Sequence, residues 1–245
     1  MIEEHIFPLT KHKREAFIRS NYCVKDKIVI DIGCGKGRYL DILFEGRVVV
    51  GLDKNPDALR LAKTKKANLL LADVNRLPFK QESVDFVLFS EVVEHLETPN
   101  EALREIYRIM KRGAKLVLTT PSRKYPFTWD PENKIRELLN LKIRKKRRFT
   151  NWTLAHKNLY TSRELRDMLE AVGMRRIKVY PLGHLFTPLI QWFWFLSYLL
   201  EKWVTYKIFG TDLDPVFRFL LKVSFLEDRL FKGDTCITLV AEGVK

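Results

Sequence analysis

The sequence predicts an α/β fold in which helices cover both faces of a mostly parallel, doubly wound sheet. Two observations support this prediction. Short apolar runs rich in Val, Ile, Leu and Phe alternate along the chain with amphipathic stretches, as they do in repeated βα units. The runs are apolar at successive positions, which is typical of parallel strands that are buried on both faces.

The elements follow in a regular order over most of the chain. Pro56 suits the first turn of a helix, and Gly113 and Gly173 suit positions at which helices stop. The predicted strands cover 27–32, 47–53, 68–72, 84–90, 115–120, 174–180 and 235–241. The predicted helices cover 11–21, 38–44, 56–65, 99–111 and 162–172, the last with Ser162 as its N-cap.

Length and composition predict one large domain. A chain of 245 residues with 46% hydrophobic and 30% charged residues is long enough for a packed core and short for two enzymatic domains. We therefore expect a single domain over 1–245 that carries two insertions. The insertion over 121–158 is polar and basic, and the insertion over 181–233 is dense in aromatic residues.

The cysteines and the N-terminus predict a cytoplasmic protein without a metal site. Cys23, Cys34 and Cys236 are odd in number and widely spaced, which argues against a disulfide framework or a zinc site. The first residues run into the charged stretch 11–14 and lack the apolar core of a secretory signal. A reducing compartment is therefore expected.

A glycine-rich turn follows the first strand and is the most informative local feature. Gly33, Gly35 and Gly37 alternate directly after an apolar run. Ligands of open parallel sheets bind beyond the carboxyl ends of the strands, where glycine permits positive φ and a close approach of backbone to ligand. A tight turn without a ligand is the alternative, but three alternating glycines at a strand end favour a binding site.

Acidic residues end the next two strands. Asp53 lies twenty positions after Gly33, a spacing that suits hydrogen bonds to a ribose diol and is shared with NAD-binding folds. Arg38 stands where the dinucleotide fingerprint has a third small residue, which favours a ligand without phosphates. Asp73 is placed to accept a hydrogen bond from an adenine amino group, or it caps a helix.

Five motifs, taken together with Asp53 at the end of the second strand, carry a family resemblance. They read D-x-G-C-G-x-G at 31–37, A-D-x-x-x-L-P-F at 72–79, V-D-F-V at 84–87, S-E-V-V-E-H-L at 90–96 and E-I-Y-R-I-M-K-R-G at 105–113. With them the chain resembles the class I S-adenosylmethionine-dependent methyltransferases, especially the branch of ubiquinone and menaquinone biosynthesis methyltransferases. The resemblance covers about residues 25 to 180 and the last strand.

The resemblance implies a fold, a cofactor and a set of site residues. The fold would be a Rossmann-like seven-stranded sheet of order 3-2-1-4-5-7-6 with the last strand antiparallel, and the cofactor would be S-adenosyl-L-methionine. In the implied cofactor site, Gly33 and Gly35 lie at the methionine part and Asp53 lies at the ribose. Asp73 and the backbone of Val74 bind adenine, and Ser90 and Glu91 lie beside the methyl-transfer pocket. Further implied members are Asp31, Cys34 and Lys54.

Methyl transfer from a sulfonium is an in-line displacement that depends on alignment and exclusion of water, so no catalytic triad is expected. A general base would help if the acceptor were a hydroxyl or an acidic carbon. The candidate bases are His95, His156 and Tyr160. Each also has a structural interpretation, since His95 could cap a helix and the other two could hold a loop.

The two insertions bear on the methyl acceptor. The basic run from Lys142 to Arg148 could contact RNA phosphates or anionic lipid headgroups, or be a solvated loop. No charge occurs from Val179 to Leu200, yet Pro181, Gly183 and Pro188 interrupt this stretch. The remaining apolar run suits a core or interfacial helix better than a membrane span. The insertion over 181–233 is therefore expected to be a helical cap that touches a membrane or lipid-like acceptor, or an internal cap or dimer contact.

The sequence therefore leaves three functional hypotheses. The first is a methyltransferase for a small, hydrophobic or lipid-linked acceptor, with membrane association at the inner face. The second is an RNA methyltransferase, favoured by the net charge of +14, although S-E-V-V stands where an N-P-P-Y-type motif would follow the fourth strand. The third is a non-catalytic protein that binds the same cofactor.

Overall fold

The structure is a computed structural model, and it describes residues 8–43, 45–62, 67–126, 158–190, 214–231 and 233–245. The candidate base His156, the basic run 142–148 and the aromatic stretch 191–213 lie outside the described residues. The predictions made for them therefore stay predictions.

The described elements alternate as the sequence predicts. The strands are β1 (Ile28–Ile32), β2 (Val48–Asp53), β3 (Asn68–Leu71), β4 (Val84–Ser90), β5 (Met110–Pro121), β6 (Arg175–Leu182) and β7 (Thr238–Val244). The helices are α1 (Pro8–Asn21), α2 (Leu40–Leu43), α3 (Pro56–Ala62), α4 (Pro99–Ile109), α5 (Ser162–Ala171) and α6 (Asp214–Leu230).

The strands form one seven-stranded sheet of order β3-β2-β1-β4-β5-β7-β6, which confirms the predicted fold. The pairs β1–β2, β1–β4, β2–β3 and β4–β5 are parallel. Lys245 exchanges backbone hydrogen bonds with Gly113 and Ala114, at 2.9 and 3.1 Å. The end of β7 thus meets the start of β5, and β7 runs antiparallel to it.

The centre of the sheet is its most buried part. Phe86, Val87, Leu88 and Phe89 of β4 are all fully buried, because helices cover both faces of a doubly wound sheet. Among the covering elements, α4 buries Ala102, Leu103, Ile106 and Ile109 along one face.

Several predicted helix ends differ from the observed ones by one to three residues, and two of the differences have a clear cause. Helix α4 ends at Ile109, and Gly113 lies inside β5 at φ +80° rather than at a helix stop. Helix α5 is capped by Thr161 and not by Ser162. Thr161 Oγ1 accepts from Glu164 N–H at 3.3 Å, while Glu164 accepts from Thr161 N–H at 2.8 Å. This reciprocal capping box outcompetes a serine one position later.

The chain divides into two compact units. One unit holds Glu15–Arg123, His156–Tyr180 and Leu239–Lys245, and the other holds Met1–Arg14, Lys124–Ala155 and Pro181–Thr238. The second unit contains most of both predicted insertions together with the start of α1. Within the described ranges, no helix is both long and apolar enough to cross a membrane.

Candidate functional site

The glycine turn after β1 packs tightly against the neighbouring strand. The backbone N–H groups of Gly33 and Cys34 both donate to the carbonyl of Leu52, at 2.6 and 2.9 Å. Gly33 has φ +75°, and a Cβ added there would lie 2.2 Å from Cγ2 of Val92. Only glycine meets both conditions without strain.

Gly35 occupies the opposite, open side of the turn. Its φ is +52°, and a Cβ added there would meet nothing within 4 Å. Its N–H donates to Asp53 Oδ2 at 2.8 Å, while Asp53 Oδ1 accepts from Asn55 N–H, also at 2.8 Å. The carboxylate at the end of β2 therefore holds the turn at the end of β1 beside free space.

A second carboxylate lies directly below this turn. Asp31, in β1, is buried, and its Oδ2 atom has no hydrogen-bond partner within the described structure. Burial, followed by the negative charge of Asp53, raises the pKa of Asp31 to about 7. Two carboxylates so placed favour a cationic ligand, because a positive charge would offset both the burial and their repulsion.

Cys34 of this turn, Lys54 after β2 and Tyr39 after the turn differ in character. Burial, helped by Asp31 and Asp53, raises the pKa of the Cys34 thiol to about 12, so the thiol is protonated at neutral pH and unsuited to nucleophilic chemistry. Lys54 is exposed. The Tyr39 hydroxyl is buried and finds no partner in the described part of the chain, a feature that the sequence did not suggest.

The third acidic residue is at the end of β3. Asp73 is exposed, Val74 is buried, and Asp73 Oδ1 accepts from Asn75 N–H at 2.8 Å in a local turn. No helix begins at Asp73 in the described structure, so the alternative of a helix N-cap is wrong. The carbonyl of Asp53 accepts from Ala72 N–H at 3.1 Å, which joins the ends of β2 and β3.

A hydrogen-bonded network closes the ends of β4 and β5. The hydroxyl groups of Ser90 and Thr119 are 2.7 Å apart, and Thr119 Oγ1 donates to Glu91 Oε1 at 3.0 Å. Glu91 N–H donates to the carbonyl of Thr119 at 2.9 Å, and Glu91 has φ +56°. A non-glycine residue in this region is strained by about 1–3 kcal/mol, and such strain concentrates at functional sites.

Tyr160 is fixed at the same edge of the sheet. Its carbonyl accepts from Arg123 N–H at 2.8 Å, and it bridges to Ser122 just past β5. Two residues earlier, Asn158 donates to the carbonyls of Glu94 and Leu96, at 3.0 and 2.9 Å. Tyr160 therefore lies beyond the carboxyl ends of both β4 and β5.

The two described candidate bases have different surroundings. His95 ends the short 3-10 turn Val93–His95; its side chain is exposed, with Nε2 3.9 Å from Glu94 Oε1. Tyr160 is buried, and its hydroxyl has no hydrogen-bond partner among the residues that the structure describes. Burial, then the charges of Glu94 and Glu164, raises the pKa of Tyr160 to about 12.

The structure thus brings most of the predicted residues to one edge. Asp31, Asp53 and Asp73 end adjacent strands, and Ser90 and Glu91 end the next one. Sequence reasoning missed Thr119, although it stands at the end of a predicted strand, where the same positional rule applies. No group of three or more potential metal ligands occurs among the described residues.

Comparison with known proteins agrees with this arrangement. Residues 30–118, which begin within β1 and end within β5, match the protein family described as Methyltransferase domain. This segment is a methyltransferase domain. The match includes the glycine turn, all three acidic strand ends and the Ser90–Glu91 segment, and it confirms the family predicted from the motifs.

The curated relatives of this methyltransferase domain cover parts of the chain. An uncharacterised protein of Methanocaldococcus jannaschii is 25% identical over 149 residues, 61% of this chain and 65% of that protein. A tRNA (carboxymethyluridine(34)-5-O)-methyltransferase of Arabidopsis thaliana is 30% identical over 38% of this chain and 23% of its own length. A ubiquinone biosynthesis O-methyltransferase of Coxiella burnetii is 26% identical over 46% and 51%. The chain thus spans less than two thirds of these relatives.

Solved structures share the fold over nearly the whole chain. A SAM-dependent methyltransferase from Archaeoglobus fulgidus superimposes with a TM-score of 0.60 and 21% identity, over 99% of this chain and 97% of that one. The likeness confirms the fold.

Proposed function

We propose that this protein binds S-adenosyl-L-methionine at the carboxyl ends of β1, β2 and β3 and transfers its methyl group to a hydrophobic acceptor. One observation carries the proposal, namely the pair Asp31 and Asp53 on either side of the glycine turn. A buried carboxylate oxygen without a described partner, next to a second carboxylate, fits a ligand with sulfonium and ammonium charges. A pyrophosphate would meet repulsion at the same place.

The polar groups of the site match the parts of this ligand. Gly33 and Gly35 offer backbone to its methionine part, and Asp53 accepts from ribose hydroxyl groups. Asp73 and the backbone of Val74 would bind adenine, which fits their positions at the end of the adjacent strand β3. Cys34 contributes through its backbone, and exposed Lys54 borders the ribose side.

The chain's residues would align the acceptor and exclude water, while the bound sulfonium supplies an electrophilic methyl group. Ser90 and Glu91 form one wall, held by Thr119. His95 and His156 are the proposed bases. The exposed imidazole of His95 can exchange a proton with solvent, as a base that turns over requires.

Tyr160 suits a different role from the base that the sequence suggests. With its pKa raised to about 12, its phenol keeps the proton at neutral pH and donates a hydrogen bond. A buried hydroxyl without a partner costs about 1–3 kcal/mol, and a polar atom of the acceptor would recover this energy. We therefore propose Tyr160 as a donor that positions the acceptor.

Three observations support a hydrophobic or lipid-linked acceptor and a place at the inner face of the membrane. The chain contains an aromatic segment over 181–233 and a basic run over 142–148, a combination typical of membrane interfaces. The Coxiella burnetii relative is named for ubiquinone biosynthesis, which involves an apolar compound. The described residues of the aromatic segment expose several large apolar side chains.

RNA is the second candidate acceptor. The Arabidopsis thaliana relative is named as a tRNA methyltransferase, and the net charge of +14 attracts polyanions. A binding titration against salt separates the two, because contacts to phosphates give a steep salt dependence.

Two measurements test the proposed function. In calorimetry, S-adenosyl-L-methionine and its demethylated product should bind, whereas NAD should not; the reverse result refutes the cofactor assignment. Next, the protein is incubated with methyl-labelled cofactor and separate lipid and RNA fractions of a cell extract. Label in the lipid fraction supports the hydrophobic acceptor, and label confined to the RNA refutes it.

A further inference from the structure

The unit that contains Pro181–Thr238 presents an unusual surface. Seven of the ten large apolar side chains that are exposed in the described part of the chain belong to it. They are Leu185, Phe186, Leu189, Phe219, Leu226, Leu230 and Phe231. Single exposed apolar residues are ordinary, but a concentration of them marks a binding surface. We call these seven residues the apolar face.

Helix α6 contributes a continuous stripe to this face. Phe219, Leu226 and Leu230 are 65%, 53% and 68% exposed, and Lys222 and Arg229 are exposed as well. At about 100° per residue, these five positions fall within an arc of roughly 100° of the helix. The opposite side buries Ser224 and Glu227. The exposed side of α6 is thus apolar and cationic.

A buried carboxylate joins the two parts of the face. Glu227 Oε2 accepts from the backbone N–H groups of Leu185 and Phe186, at 3.0 and 2.6 Å. Glu227 Oε1 accepts from Thr187 N–H at 3.0 Å and also from the Thr187 hydroxyl. The segment of Leu185 and Phe186 is therefore tied to α6 at the buried residue Glu227.

The same cluster removes negative charge from the surface. Lys13 Nζ lies 3.2 Å from Glu227 and 2.9 Å from Asp228, and the side chains of these two acids are 0% and 13% exposed. Asp228 also accepts from Gly183 N–H at 2.8 Å. Among the described side chains of α6, both carboxylates therefore point inward, and the charged groups left outside are cations.

We propose that the apolar face, with Lys222 and Arg229, binds the interface of an anionic lipid bilayer. Leucine and phenylalanine side chains enter the boundary between headgroups and acyl chains, while flanking Lys and Arg contact anionic headgroups. The geometry fits a peripheral contact along one helix side. This inference deepens the proposed function and rests on it for the lipid-linked acceptor. Binding of the surface to a bilayer can be tested without any acceptor.

The charges favour a bilayer over the other occupants. In a symmetric dimer through this face, Lys222 and Arg229 of two copies would approach one another, and no exposed carboxylate of the described α6 side chains would compensate them. The net charge of +14 adds to this repulsion. RNA would pair with the cations but would leave the leucines exposed to water.

Flotation with lipid vesicles tests the proposal. The whole chain should float with vesicles of phosphatidylcholine and phosphatidylglycerol, and much less with phosphatidylcholine alone. Leu226→Glu should weaken binding to the mixed vesicles by about tenfold, because burial of one leucine supports a partition ratio of that order. Lys222→Gln should weaken it by about fivefold, and added salt should reduce this second effect.

The chain offers matched controls for both variants. Leu61 in α3 is 59% exposed, so Leu61→Glu makes the same chemical change at similar exposure in the other unit. Lys25 is exposed, so Lys25→Gln matches Lys222→Gln in charge. Both controls should bind vesicles like the wild type, and thermal unfolding should show that all four variants remain folded.

Each outcome decides the proposal. Absence of flotation with mixed vesicles overturns it, and so does flotation that Leu226→Glu and Leu61→Glu reduce equally. A dimer that Leu226→Glu dissociates would assign the face to a second copy. Binding of S-adenosyl-L-methionine, measured in the same samples, tests the proposed function separately and should be unchanged by Leu226→Glu.

Discussion

Asp53 Oδ2 accepts a hydrogen bond of 2.8 Å from the backbone N–H of Gly35, eighteen positions earlier in the chain. This bond links the ends of β1 and β2 and holds the glycine turn in the conformation that leaves space beside Gly35. The second oxygen, which accepts from Asn55, prevents the carboxylate from rotating. The site is therefore organised by the protein's own backbone and needs little rearrangement on binding.

Asp53→Asn should weaken the binding of S-adenosyl-L-methionine by about tenfold to a hundredfold, because hydrogen bonds to a charged acceptor contribute about 1.5–3 kcal/mol. Calorimetry measures this change. Asp57→Asn is the matched control, since Asp57 is an exposed aspartate in α3 that pairs with Arg60. Equal affinities for the two variants would remove Asp53 from the binding site.

Binding of S-adenosyl-L-methionine should tighten as the pH rises through about 7. The pKa of Asp31 is raised to about 7 by burial and by Asp53, so the group becomes an anion in this range and attracts the cationic ligand. Binding below this range should take place with release of a proton, visible in calorimetry as a dependence on buffer ionisation. Asp31→Asn should bind weakly and without this pH dependence; a wild-type affinity that is flat from pH 6 to 8 contradicts the assignment.

Ionisation of Asp31 should lower the stability of the ligand-free protein, although it strengthens ligand binding. A folded-state pKa above the unfolded value means that the ligand-free protein loses stability as the pH rises from about 4 to about 7. Asp31→Asn removes this loss, so at pH 8 the variant should be more stable than the wild type by about 4 kcal/mol, since the pKa rises by about three units. At pH 4 the difference should vanish. Denaturant unfolding at both pH values checks this expectation.

Gly33→Ala should be more destabilising than Gly113→Ala. Both glycines have φ near +80°, but a Cβ at Gly113 meets nothing within 4 Å, whereas one at Gly33 lies 2.2 Å from Val92. Backbone strain of about 1–2 kcal/mol applies to both, and overpacking adds about 1–3 kcal/mol at Gly33. In the Gly33→Ala variant, a further Val92→Ala substitution should recover the stability lost to overpacking but not the stability lost to backbone strain. A double-mutant cycle without coupling would show that the clash relaxes by other means.

Tyr160→Phe should leave the ligand-free protein as stable as the wild type or slightly more so, because the hydroxyl has no partner in the described structure. Binding of S-adenosyl-L-methionine should not change. Methyl transfer to the labelled lipid fraction should fall by about tenfold, the value of one hydrogen bond. A loss of stability above about 1 kcal/mol would mean that the hydroxyl bonds within the protein and that the proposed role is wrong.

Lys13→Met should destabilise the protein by about 3–5 kcal/mol, because it leaves the buried carboxylates of Glu227 and Asp228 without their cation. Lys11→Met, on the same helix, replaces a partly exposed lysine and should change stability by less than about 0.5 kcal/mol. Thermal unfolding compares the two variants. Similar melting temperatures would show that the buried pair contributes little.

Much of the sheet could be predicted because its signals are local. The strand β4 was predicted to the residue, since Val84 and Ser90 bound an apolar run. The end of α4 could not be predicted in the same way. Met110 pairs with Val84 of β4, and this pairing extends β5 backwards into residues with helical preference. That pairing joins residues far apart in the sequence, and local propensity does not register it.

The candidate site shows the same division. Glycines and acidic residues at strand ends are visible in the sequence because parallel strands present their carboxyl ends at one edge. The burial of Asp31 and Tyr160 is not visible in the sequence, because it depends on side chains contributed by distant elements. The sequence therefore suggests Tyr160 as a base, whereas its buried hydroxyl and raised pKa are the basis on which we propose it as a donor.

The amino-acid sequence by itself determined the element order, the methyltransferase family and the acidic residues at the ends of β1, β2 and β3, because periodicity and short motifs are properties of neighbouring residues. Only the tertiary structure decided which of these groups are charged, which hydroxyls lack partners and which side of α6 is exposed. Those properties depend on desolvation and on distances between residues far apart along the chain, and both arise only when the chain is packed.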